Sequence, residues 1–544
     1  MPVSLLANSI KVHFAYNPAL VSLAKALPDR WWERKSKSWV VPATPYHARR
    51  VIAAFSGKVQ IDESVMRLST RDSKDYNNST LELTSSDHLK PRPYQAGAVE
   101  FLNDTFGRAI IADAVGLGKT CEALSWAAYR GIQSVLIVAP ASVLYKWQKE
   151  VAMWYPDMAD KTCVIASSAT PITGRIHIIS YDMMTRLKDN LPKHKLIIFD
   201  EVQRLRNYKT LRFKAAKQLA QGTPHIIGLS GTPIMNRPRE LYNILNLLDP
   251  FAWTWVNFFN RYCGGEEMGY NGATNLDDLN ERLKSIMLRR FKTDVLDQLP
   301  AFTRTHVPVS LEPKERNTYD GLASQNPTTI VNLFPGSKGY FANPLDWLNA
   351  IRQYLERLRL SRVEDWAEDF LSSGTGKLVI YCGFKSSVAR LEESLKEYGV
   401  AKITGDVSNS NRQEIIDRWQ TTNDERVMLL TSAGGEGIDL FGKNGIECST
   451  LVFAGREWSP MVEEQIEGRL DRMGQTFPVE AVYLTIQGTV DEDIDALIEE
   501  KRTIIRDALG LETVDTNIVG DLFEILKKRG VIFKEHKEKK HGEG

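Results

Sequence analysis

The 544-residue sequence contains only five cysteines, and no two of them have metal-ligand spacing. Such a small, odd number disfavours a zinc ribbon, an iron–sulfur site and a disulfide scaffold, and it predicts a reducing compartment. No apolar run approaches the ~18 residues of a membrane-spanning helix. The N-terminus also lacks the basic segment and apolar core of a secretory signal. We therefore expect no membrane partner and a location in the cytoplasm of a bacterial or phage-infected cell, or in the nucleus if the protein is eukaryotic.

The sequence also lacks an excess of charge of one sign, with 69 Lys and Arg residues against 68 Asp and Glu residues. This balance excludes a uniformly basic surface but not a local basic groove. Residues 1–90 contain 13 Lys and Arg residues against 8 Asp and Glu residues, so this part of the chain is modestly basic. The overall composition, with 43% hydrophobic and 25% charged residues, is that of an ordinary soluble globular protein.

Short apolar runs of strand length are the main structural signal. They are VLIVAP (135–140), KLIIFD (195–200), HIIGLS (225–230), KLVIYC (377–382), VMLLTS (427–432) and TLVFAG (450–455). Runs that are apolar on both faces are typical of buried strands in parallel sheets. Helical patterns alternate with them, such as TCEALSWAAYRG (120–131) before the first run and SSVARLEESLKEYG (386–399) after KLVIYC. This alternation predicts two α/β lobes, one formed before about residue 230 and the other after about residue 377.

Shifts in composition predict the domain boundaries. The stretch QNPTTIVNLFPGSKGYFANP is rich in Asn, Pro and Gly, which indicates a linker or an irregular insertion. The expected parts are a small module (1–85), a first lobe with the start of an insertion (86–300), a linker or insertion (301–345), a second lobe (346–510) and a C-terminal extension with a charged tail (511–544).

The segment IADAVGLGKT (111–120) has the pattern of a phosphate-binding loop. In such loops, backbone N–H groups at a helix N-terminus hold phosphates. Gly116 and Gly118 would let the backbone approach the nucleotide, and Leu117 between them is also a candidate nucleotide-binding residue. Lys119 would reach the β- and γ-phosphates and Thr120 would bind Mg²⁺. The strict pattern has Gly where this chain has Asp113, and a chance glycine-rich turn is the alternative.

A pair of carboxylates, Asp200 and Glu201, ends the strand-like run KLIIFD. Asp200 would hold Mg²⁺ through water, and Glu201 would polarise the attacking water. The alternative is a solvated acidic turn. However, a phosphate-binding loop followed along the chain by such a carboxylate pair is the order found in P-loop ATPases.

In the second lobe, QIEGRLDRMGQ (465–475) places Arg469 and Arg472 on one face of a predicted helix. Arginines supplied across a cleft stabilise the charge of a γ-phosphoryl transition state. The alternative is a pair of surface arginines with Glu467 and Asp471 as local partners.

Taken in order, these segments resemble the motifs of the SNF2 family of superfamily 2 DNA translocases, over roughly residues 88–505. The motifs of the first lobe are RPYQ (92–95), DAVGLGKT (113–120), APASVLYKWQKE (139–150), ISYD (179–182), DEVQRLRN (200–207), LSGTPIMNRPRELYNIL (229–245) and MLRRFKTDVLDQLP (287–300). Those of the second lobe are YCGFKSSVARLEESL (381–395), ITGDVS (403–408), TSAGGEGIDL (431–440) and EWSPMVEEQIEGRLDRMGQ (457–475).

This resemblance implies an α/β fold with two RecA-like lobes, parallel sheets and helical insertions, and ATP with Mg²⁺ in the cleft between the lobes. It implies nucleotide contacts from Arg92 and Gln95 in the first lobe and from Gly437 and Asp439 in the second. Two positions depart from the family pattern. Gln203 replaces the His that, in the family, helps couple hydrolysis to motif III, which corresponds here to LSGTPIMNRPRELYNIL (229–245). Asp439 stands where many members have Asn.

The resemblance also implies that DNA lies across both lobes, held at its phosphates and therefore without sequence specificity. The candidate contacts on the lobes are Ser142, Ser180, Lys385, Thr404 and Ser432. Each hydroxyl could instead belong to a helix N-cap or a turn.

Tryptophans lie among basic residues in the N-terminal module. Trp31 and Trp32 could stack on unpaired bases while Arg34 and Lys35 hold phosphates. Core packing is the alternative, and it is favoured for Trp39 in the strand-like SWVV. The pattern FxYN…L…LP…W…R…W resembles the HARP-type substrate-recognition domain of annealing helicases, so we expect a small α+β domain here.

These observations predict a DNA-dependent ATPase that remodels forked or branched duplex DNA by fork regression, branch migration or strand annealing. We expect a monomer, with replication or recombination proteins as candidate partners. The rivals are an SNF2 motor linked to transcription or to restriction, and a DNA-binding scaffold with a degenerate ATP site. A nuclease is disfavoured because Glu499 and Lys501 have no partner carboxylates in a convincing arrangement.

Overall fold

The protein is described by a computed structural model that covers residues 3–6, 9–71, 74–83, 90–231, 238–250, 252–270, 272–295, 300–341, 343–432, 438–457, 459–507 and 522. Two compact units make up the chain, the first consisting mainly of Met1–Asp297 and the second mainly of Gln298–Ile504. Within the ranges described, no helix combines the length and the hydropathy needed to cross a membrane.

The first unit begins with a small α+β module, as the sequence predicts. Its antiparallel sheet has the strand order β1-β2-β4-β3, and its core contains Val12, Val41 and Phe55. Side chains placed just before the helices accept hydrogen bonds from their first N–H groups, as in the case of Asn17. The elements are β1 (Val3–Leu6), β2 (Ser9–Val12), α1 (Pro18–Ala26), β3 (Trp31–Glu33), β4 (Ser38–Pro42), α2 (Pro45–Phe55) and α3 (Glu63–Ser69).

A parallel sheet of seven strands, in the order β11-β5-β10-β9-β6-β8-β7, forms the centre of the first lobe. Its strands are β5 (Arg108–Ile111), β6 (Val135–Ala139), β7 (Thr162–Ile165), β8 (Ile176–Ser180), β9 (Leu196–Asp200), β10 (His225–Leu229) and β11 (Met287–Leu288). Along β6, Leu136 and Val138 enter one hydrophobic cluster, whereas Val135 and Ile137 enter the cluster on the other face. Both faces are therefore covered, which explains the continuous apolar runs.

Helices flank this sheet in the first lobe. They are α4 (Pro93–Asp104), α5 (Lys119–Tyr129), α6 (Leu144–Trp154), α7 (Tyr181–Leu187), α8 (Leu211–Ala220), α9 (Arg239–Leu248), α10 (Trp255–Tyr262), α11 (Leu276–Leu283) and α12 (Lys292–Val295).

The second unit has a parallel sheet of six strands in the order β12-β17-β16-β13-β15-β14. Its strands are β12 (Phe302–Val309), β13 (Lys377–Tyr381), β14 (Val400–Ile403), β15 (Val427–Leu430), β16 (Cys448–Phe453) and β17 (Val479–Ile486). Its helices are α13 (Pro313–Ala323), α14 (Pro327–Leu333), α15 (Pro344–Ser373), α16 (Lys385–Ser394), α17 (Asn409–Thr421), α18 (Pro460–Glu467) and α19 (Val490–Asp507). All six predicted runs are strands of the two parallel sheets, so the predicted fold class is confirmed.

The stretch 301–345 differs from the expected linker or insertion, because it begins with β12 at the edge of the second sheet and continues into α13 and α14. Strand β12 pairs with β17 along its whole length, from Phe302 to Val309. An edge strand is only partly covered, and this one has polar residues such as Arg304 and Thr305 in its middle. It therefore lacks the continuous apolar run by which the central strands can be recognised.

Candidate nucleotide site and DNA-contact residues

The phosphate-binding loop connects the end of β5 to the start of α5. Gly116 and Gly118 have φ angles of 93° and 87°, in the left-handed region that favours glycine. Gly118 is also the N-cap residue of α5, so the loop ends where the helix exposes its first N–H groups. A helix N-terminus preceded by such a loop is an anion-binding arrangement. Leu117 lies between the two glycines, and Thr120 is the second residue of α5.

The Lys119 ammonium lies against this loop. It donates hydrogen bonds to the backbone carbonyls of Asp113, at 2.6 Å, and Ala114, at 3.2 Å. Desolvation lowers the pKa of Lys119, and the negative charges of Glu201 and Asp113 oppose that shift. The predicted lysine and the predicted acidic pair are therefore close enough to interact electrostatically.

The start of α4 also contacts the loop. Gln95 donates from Nε2 to the carbonyl of Leu117 at 3.0 Å, and the Tyr94 hydroxyl donates to the same oxygen at 2.9 Å. The Gln95 Oε1 atom accepts from the Arg92 backbone N–H at 2.9 Å. Of the two nucleotide contacts predicted at this position, Gln95 is thus packed on the phosphate loop and Arg92 directly precedes α4.

The acidic pair stands at the carboxyl end of β9. Asp200 accepts a hydrogen bond from Trp147 Nε1 at 2.9 Å, and its backbone carbonyl accepts one from the Tyr181 hydroxyl at 2.7 Å. Burial and the neighbouring Glu201 charge raise the pKa of Asp200 to about 6. Glu201 has a φ of 53°, a left-handed conformation that is uncommon and unfavourable for a non-glycine residue. Such outliers cluster at functional sites.

Trp147 and Tyr181 are contacts that the sequence reasoning missed. The Trp-Gln pair of APASVLYKWQKE and the Tyr of ISYD were visible as parts of motifs. The spacing of these residues does not indicate that their side chains contact Asp200. Trp147 is on α6, Tyr181 is on α7 and Asp200 is on β9, and only the packing of these elements brings them together.

Gln203 connects the acidic pair to the segment that follows β10. Its Nε2 donates to the Glu201 carboxylate, and its Oε1 accepts from the Ser230 hydroxyl at 2.8 Å. Ser230 is buried and opens the segment that resembles motif III. Gln203 therefore provides a hydrogen-bonded link between Glu201 and this segment, in the place where the family has His.

Replacing Gln203 by Ala should lower the DNA-stimulated kcat about tenfold and change the KM for ATP less. Hydrogen bonds to charged groups contribute roughly 1.5–3 kcal/mol, and each 1.4 kcal/mol in the barrier corresponds to about a factor of ten. Steady-state phosphate release with duplex DNA measures both constants. Gln218→Ala is the matched control, since Gln218 donates to the exposed Asp189. If Gln203→Ala hydrolyses ATP at the wild-type rate, the hydrogen bonds of Gln203 to Glu201 and Ser230 do not contribute to turnover.

Arg469 and Arg472 are not on a helix, and that part of the prediction is wrong. Helix α18 ends at Glu467, and the N–H groups of Arg469 and Leu470 bond to carbonyls three residues back. Gly468, which has a low helix propensity, is the C-cap at this point. The Glu467 carboxylate pairs with Arg304 rather than with Arg469.

The turn nevertheless brings the two arginines to one place in the second unit. Both guanidinium groups approach the carbonyl of Ile438, at 3.4 Å for Arg469 and 3.5 Å for Arg472. Arg472 also pairs with the carboxylate of Asp439. Three of the four predicted nucleotide residues of this unit are thus neighbours, while Gly437 lies outside the described residues.

The five candidate DNA contacts of the lobes occupy different environments. The Ser142 hydroxyl is buried and has no hydrogen-bond partner in the described part of the chain. The Ser180 hydroxyl caps α7 by accepting from the Met183 N–H, which is the alternative that the sequence left open. Lys385 pairs with Asp406 at 2.6 Å and remains exposed. Thr404 is buried and Ser432 is exposed, each just beyond the end of a strand.

The N-terminal module presents its tryptophans on an edge strand. Trp31 and Trp32 on β3 are 40% and 47% exposed, and Arg34 and Lys35 are exposed in the turn that follows. Trp39 is partly buried against the core of the module, as expected. It meets the Trp32 ring edge-on at 5.3 Å between centroids.

Family models match most of the region that carries these sites. The SNF2-related domain matches residues 94–360, and the helicase conserved C-terminal domain matches residues 361–474. The chain therefore belongs to the SNF2 family.

Curated relatives include the SWI/SNF-related matrix-associated actin-dependent regulator of chromatin subfamily A-like protein 1 of Xenopus laevis. It is 28% identical over 528 residues, covering 92% of this chain and 54% of the relative. The DNA annealing helicase and endonuclease ZRANB3 of Mus musculus is 28% identical over 438 residues, covering 76% of this chain and 40% of the relative. The chain spans about half the length of the curated relatives it matches.

Among solved structures, the chain is similar to the Sulfolobus solfataricus SWI2/SNF2 ATPase core in complex with dsDNA. The identity is 25%, the match covers 82% of this chain and 99% of that chain, and the TM-score is 0.38.

Proposed function

We propose that this protein is an ATP-dependent translocase on double-stranded DNA that remodels forked or branched DNA by fork regression, branch migration or strand annealing. The observation that carries the proposal is a complete set of candidate motor residues together with a module that exposes two adjacent tryptophans beside two cations. A scaffold with a degenerate ATP site is disfavoured, because Lys119, Asp200 and Glu201 are all present and arranged around one loop.

The residues around the phosphate loop fit Mg²⁺ and a nucleoside triphosphate. The Thr120 hydroxyl and the Asp200 carboxylate are oxygen donors of the kind that Mg²⁺ prefers. Loop N–H groups and Lys119 would hold the phosphates, with Arg92 and Gln95 toward the base. When bound, Mg²⁺ neutralises phosphate charge. Burial and the neighbouring Glu201 charge raise the pKa of Asp200, and a cation bound by this carboxylate would oppose both effects.

Glu201 is the group that we assign to orienting and polarising the attacking water. Its backbone has a left-handed conformation at the end of β9, and its carboxylate accepts a hydrogen bond from Gln203 Nε2. From the second unit, Arg469 and Arg472 would stabilise charge on the transferring phosphoryl group, with Gly437 and Asp439 beside them. Hydrolysis would then depend on the approach of the two units, which couples chemistry to motion.

DNA would be held by its phosphates through Ser142, Ser180, Lys385, Thr404 and Ser432. The unpaired hydroxyl of Ser142 supports this assignment, because a buried polar group without a partner is unfavourable unless a ligand satisfies it. Ser180 accepts from the Met183 N–H with its oxygen and keeps its proton available for donation. Contacts of this kind give affinity without reading sequence.

The N-terminal module is attached firmly to the first lobe, which supports a role in placing DNA for the motor. Buried Asp29 accepts from Arg282 at 2.7 Å and from Asn257 at 2.8 Å, and it also pairs with His47. Asp29 lies two residues before Trp31, so these contacts hold the strand that carries the tryptophans. The module, proposed as HARP-like, would therefore move with the nucleotide-binding lobe.

Replacing Trp31 and Trp32 together by Ala should remove most of the preference for forked over linear duplex. Stacking of an aromatic side chain on a base contributes about 1–3 kcal/mol, so half-stimulation of the ATPase should need about tenfold more forked DNA. ATPase stimulation is measured across single-stranded, linear duplex, forked and four-way DNA. Trp366→Ala serves as a control, because Trp366 stacks on Phe370 along α15 in the second unit.

The outcomes separate the proposal from its rivals. If the variant with both Trp31→Ala and Trp32→Ala keeps the wild-type preference for forked DNA, the N-terminal module does not recognise forks through these tryptophans. A wild-type protein that responds equally to linear and forked DNA and copurifies with RNA polymerase supports the transcription-linked motor instead.

A further inference from the structure

Arg290 is a buried residue near the end of the first unit, two positions after β11. The backbone around it runs beside β5 and the beginning of the phosphate loop. The Ala112 N–H donates to the Leu288 carbonyl at 2.7 Å, and the Ala114 N–H donates to the Arg290 carbonyl at 2.9 Å. The segment that leaves the lobe is therefore hydrogen-bonded to the loop before any side chain is considered.

The Arg290 side chain uses all five of its N–H donors. Nε donates to both oxygens of Asp113, at 3.2 and 3.0 Å. Nη1 donates to the Tyr76 carbonyl at 3.1 Å and to the Tyr94 carbonyl. Nη2 donates to Asp113 and, at 2.8 Å, to Glu122. Five fixed donors in a planar fork are a property of arginine that lysine does not share.

These acceptors lie at both ends of the phosphate loop. Asp113 precedes the loop glycines, and Glu122 is in the first turn of α5 that follows them. Tyr94, whose carbonyl binds Arg290, donates its hydroxyl to the Leu117 carbonyl in the middle of the loop. Asp113 and Glu122 are fully buried, so their contacts with Arg290 are shielded from water.

This arrangement explains the departure of the loop from its strict pattern. Where that pattern has Gly, Asp113 provides a bidentate acceptor for Arg290, 177 positions away in the sequence. A glycine at this position would leave Glu122 as the one carboxylate bonded to the guanidinium among the described residues, and removing one partner of a buried ion pair is strongly destabilising.

We propose that Arg290 is a positioning residue for nucleotide binding, which fixes both ends of the loop 113–122 so that its backbone N–H groups converge on the phosphates. The inference rests on the nucleotide role proposed for this loop. Arg290 acts through the loop, because its N–H donors are already bonded to protein acceptors. Because the loop holds phosphates in the ground state and the transition state alike, its distortion should raise KM and weaken product binding more than it lowers kcat.

The test is Arg290→Lys in the full chain, with Mg-ADP affinity measured by calorimetry and ATPase constants measured on duplex DNA. We expect the affinity for Mg-ADP to fall about tenfold or more and the KM for ATP to rise correspondingly, with kcat reduced less than KM is raised. Binding of forked DNA without nucleotide should stay close to wild type. Asp113→Asn is the second variant, which keeps the shape and one acceptor, and it should weaken Mg-ADP in the same direction.

Arg108→Lys is the matched control, because Arg108 begins β5, at the end of this strand that is away from the phosphate loop. Arg108 also donates to backbone carbonyls, those of Leu248 at 2.6 Å and Thr223 at 2.8 Å. Thermal unfolding of all variants reports their general stability. Folded Arg290→Lys and Asp113→Asn proteins with wild-type Mg-ADP affinity overturn the inference, and so does an equal loss of affinity in Arg108→Lys. A wild-type protein that fails to bind Mg-ADP would instead contradict the proposed function.

Discussion

Glu201→Gln is expected to lower the DNA-stimulated kcat about a thousandfold, within the 10²–10⁴ that a positioned acid or base contributes. The substitution keeps the size of the side chain and an oxygen that can accept from Gln203, so the surrounding link stays intact. What it removes is the negative charge that polarises water. It also removes a charge that contributes to the raised pKa of Asp200, so Mg-nucleotide affinity should be maintained or slightly higher.

Phosphate release under saturating ATP and duplex DNA measures this loss, and fluorescence anisotropy measures DNA binding, which should stay near the wild-type value. Glu393→Gln is a matched control, because Glu393 is an exposed residue paired with Lys396 and surface pairs contribute little. Turnover of Glu201→Gln within about tenfold of wild type would exclude Glu201 as the polarising group.

Arg469→Ala and Arg472→Ala should each lower kcat by at least about a hundredfold, since arginines that reach a transferring phosphoryl group contribute about 10³–10⁵ in related phosphoryl-transfer enzymes. Mg-ADP affinity should change little, because that charge develops chiefly in the transition state. Arg472 also forms the ion pair with Asp439, so its loss leaves a half-buried carboxylate without this counter-charge.

Single-turnover ATP hydrolysis with duplex DNA is the suitable measurement, accompanied by thermal unfolding to verify that each variant folds. Arg418→Ala is the control, because Arg418 pairs with Glu425 on the surface of the second unit. If Asp439→Asn lowers kcat as much as Arg472→Ala does, then Arg472 acts through its ion pair with Asp439 rather than on the phosphoryl group. If neither arginine variant slows hydrolysis, the assignment of these residues to the nucleotide is wrong.

The features that were predictable from the sequence depend on local patterns. Each continuous apolar run became a strand, because a strand covered on both faces must be apolar at every position. The positions of Gly116 and Gly118 were equally visible, since the left-handed conformations they adopt are readily accessible only to glycine. The position of Asp200 and Glu201 was predictable as well, because the two carboxylates end an apolar run that forms β9.

Predictions failed or were incomplete where the local pattern was weak. Strand β12 is polar because it lies at an edge, so it looked like a linker. The helix predicted to carry Arg469 and Arg472 ends before them, at Glu467, because the chain turns from Gly468 onward. Helix ends depend on the contacts of a few residues and are poorly defined by periodicity.

The sequence by itself determined the family, the two parallel sheets and the chemical groups of the motor, since these are carried by residue type and spacing. Only the tertiary structure decided which distant groups meet: Gln203 with Ser230, Asp29 with Arg282, and Asp113 with Arg290. The physical reason is that a buried ion pair or hydrogen bond needs its partner within about 3 Å. Packing of whole elements, rather than any local pattern, brings such partners together.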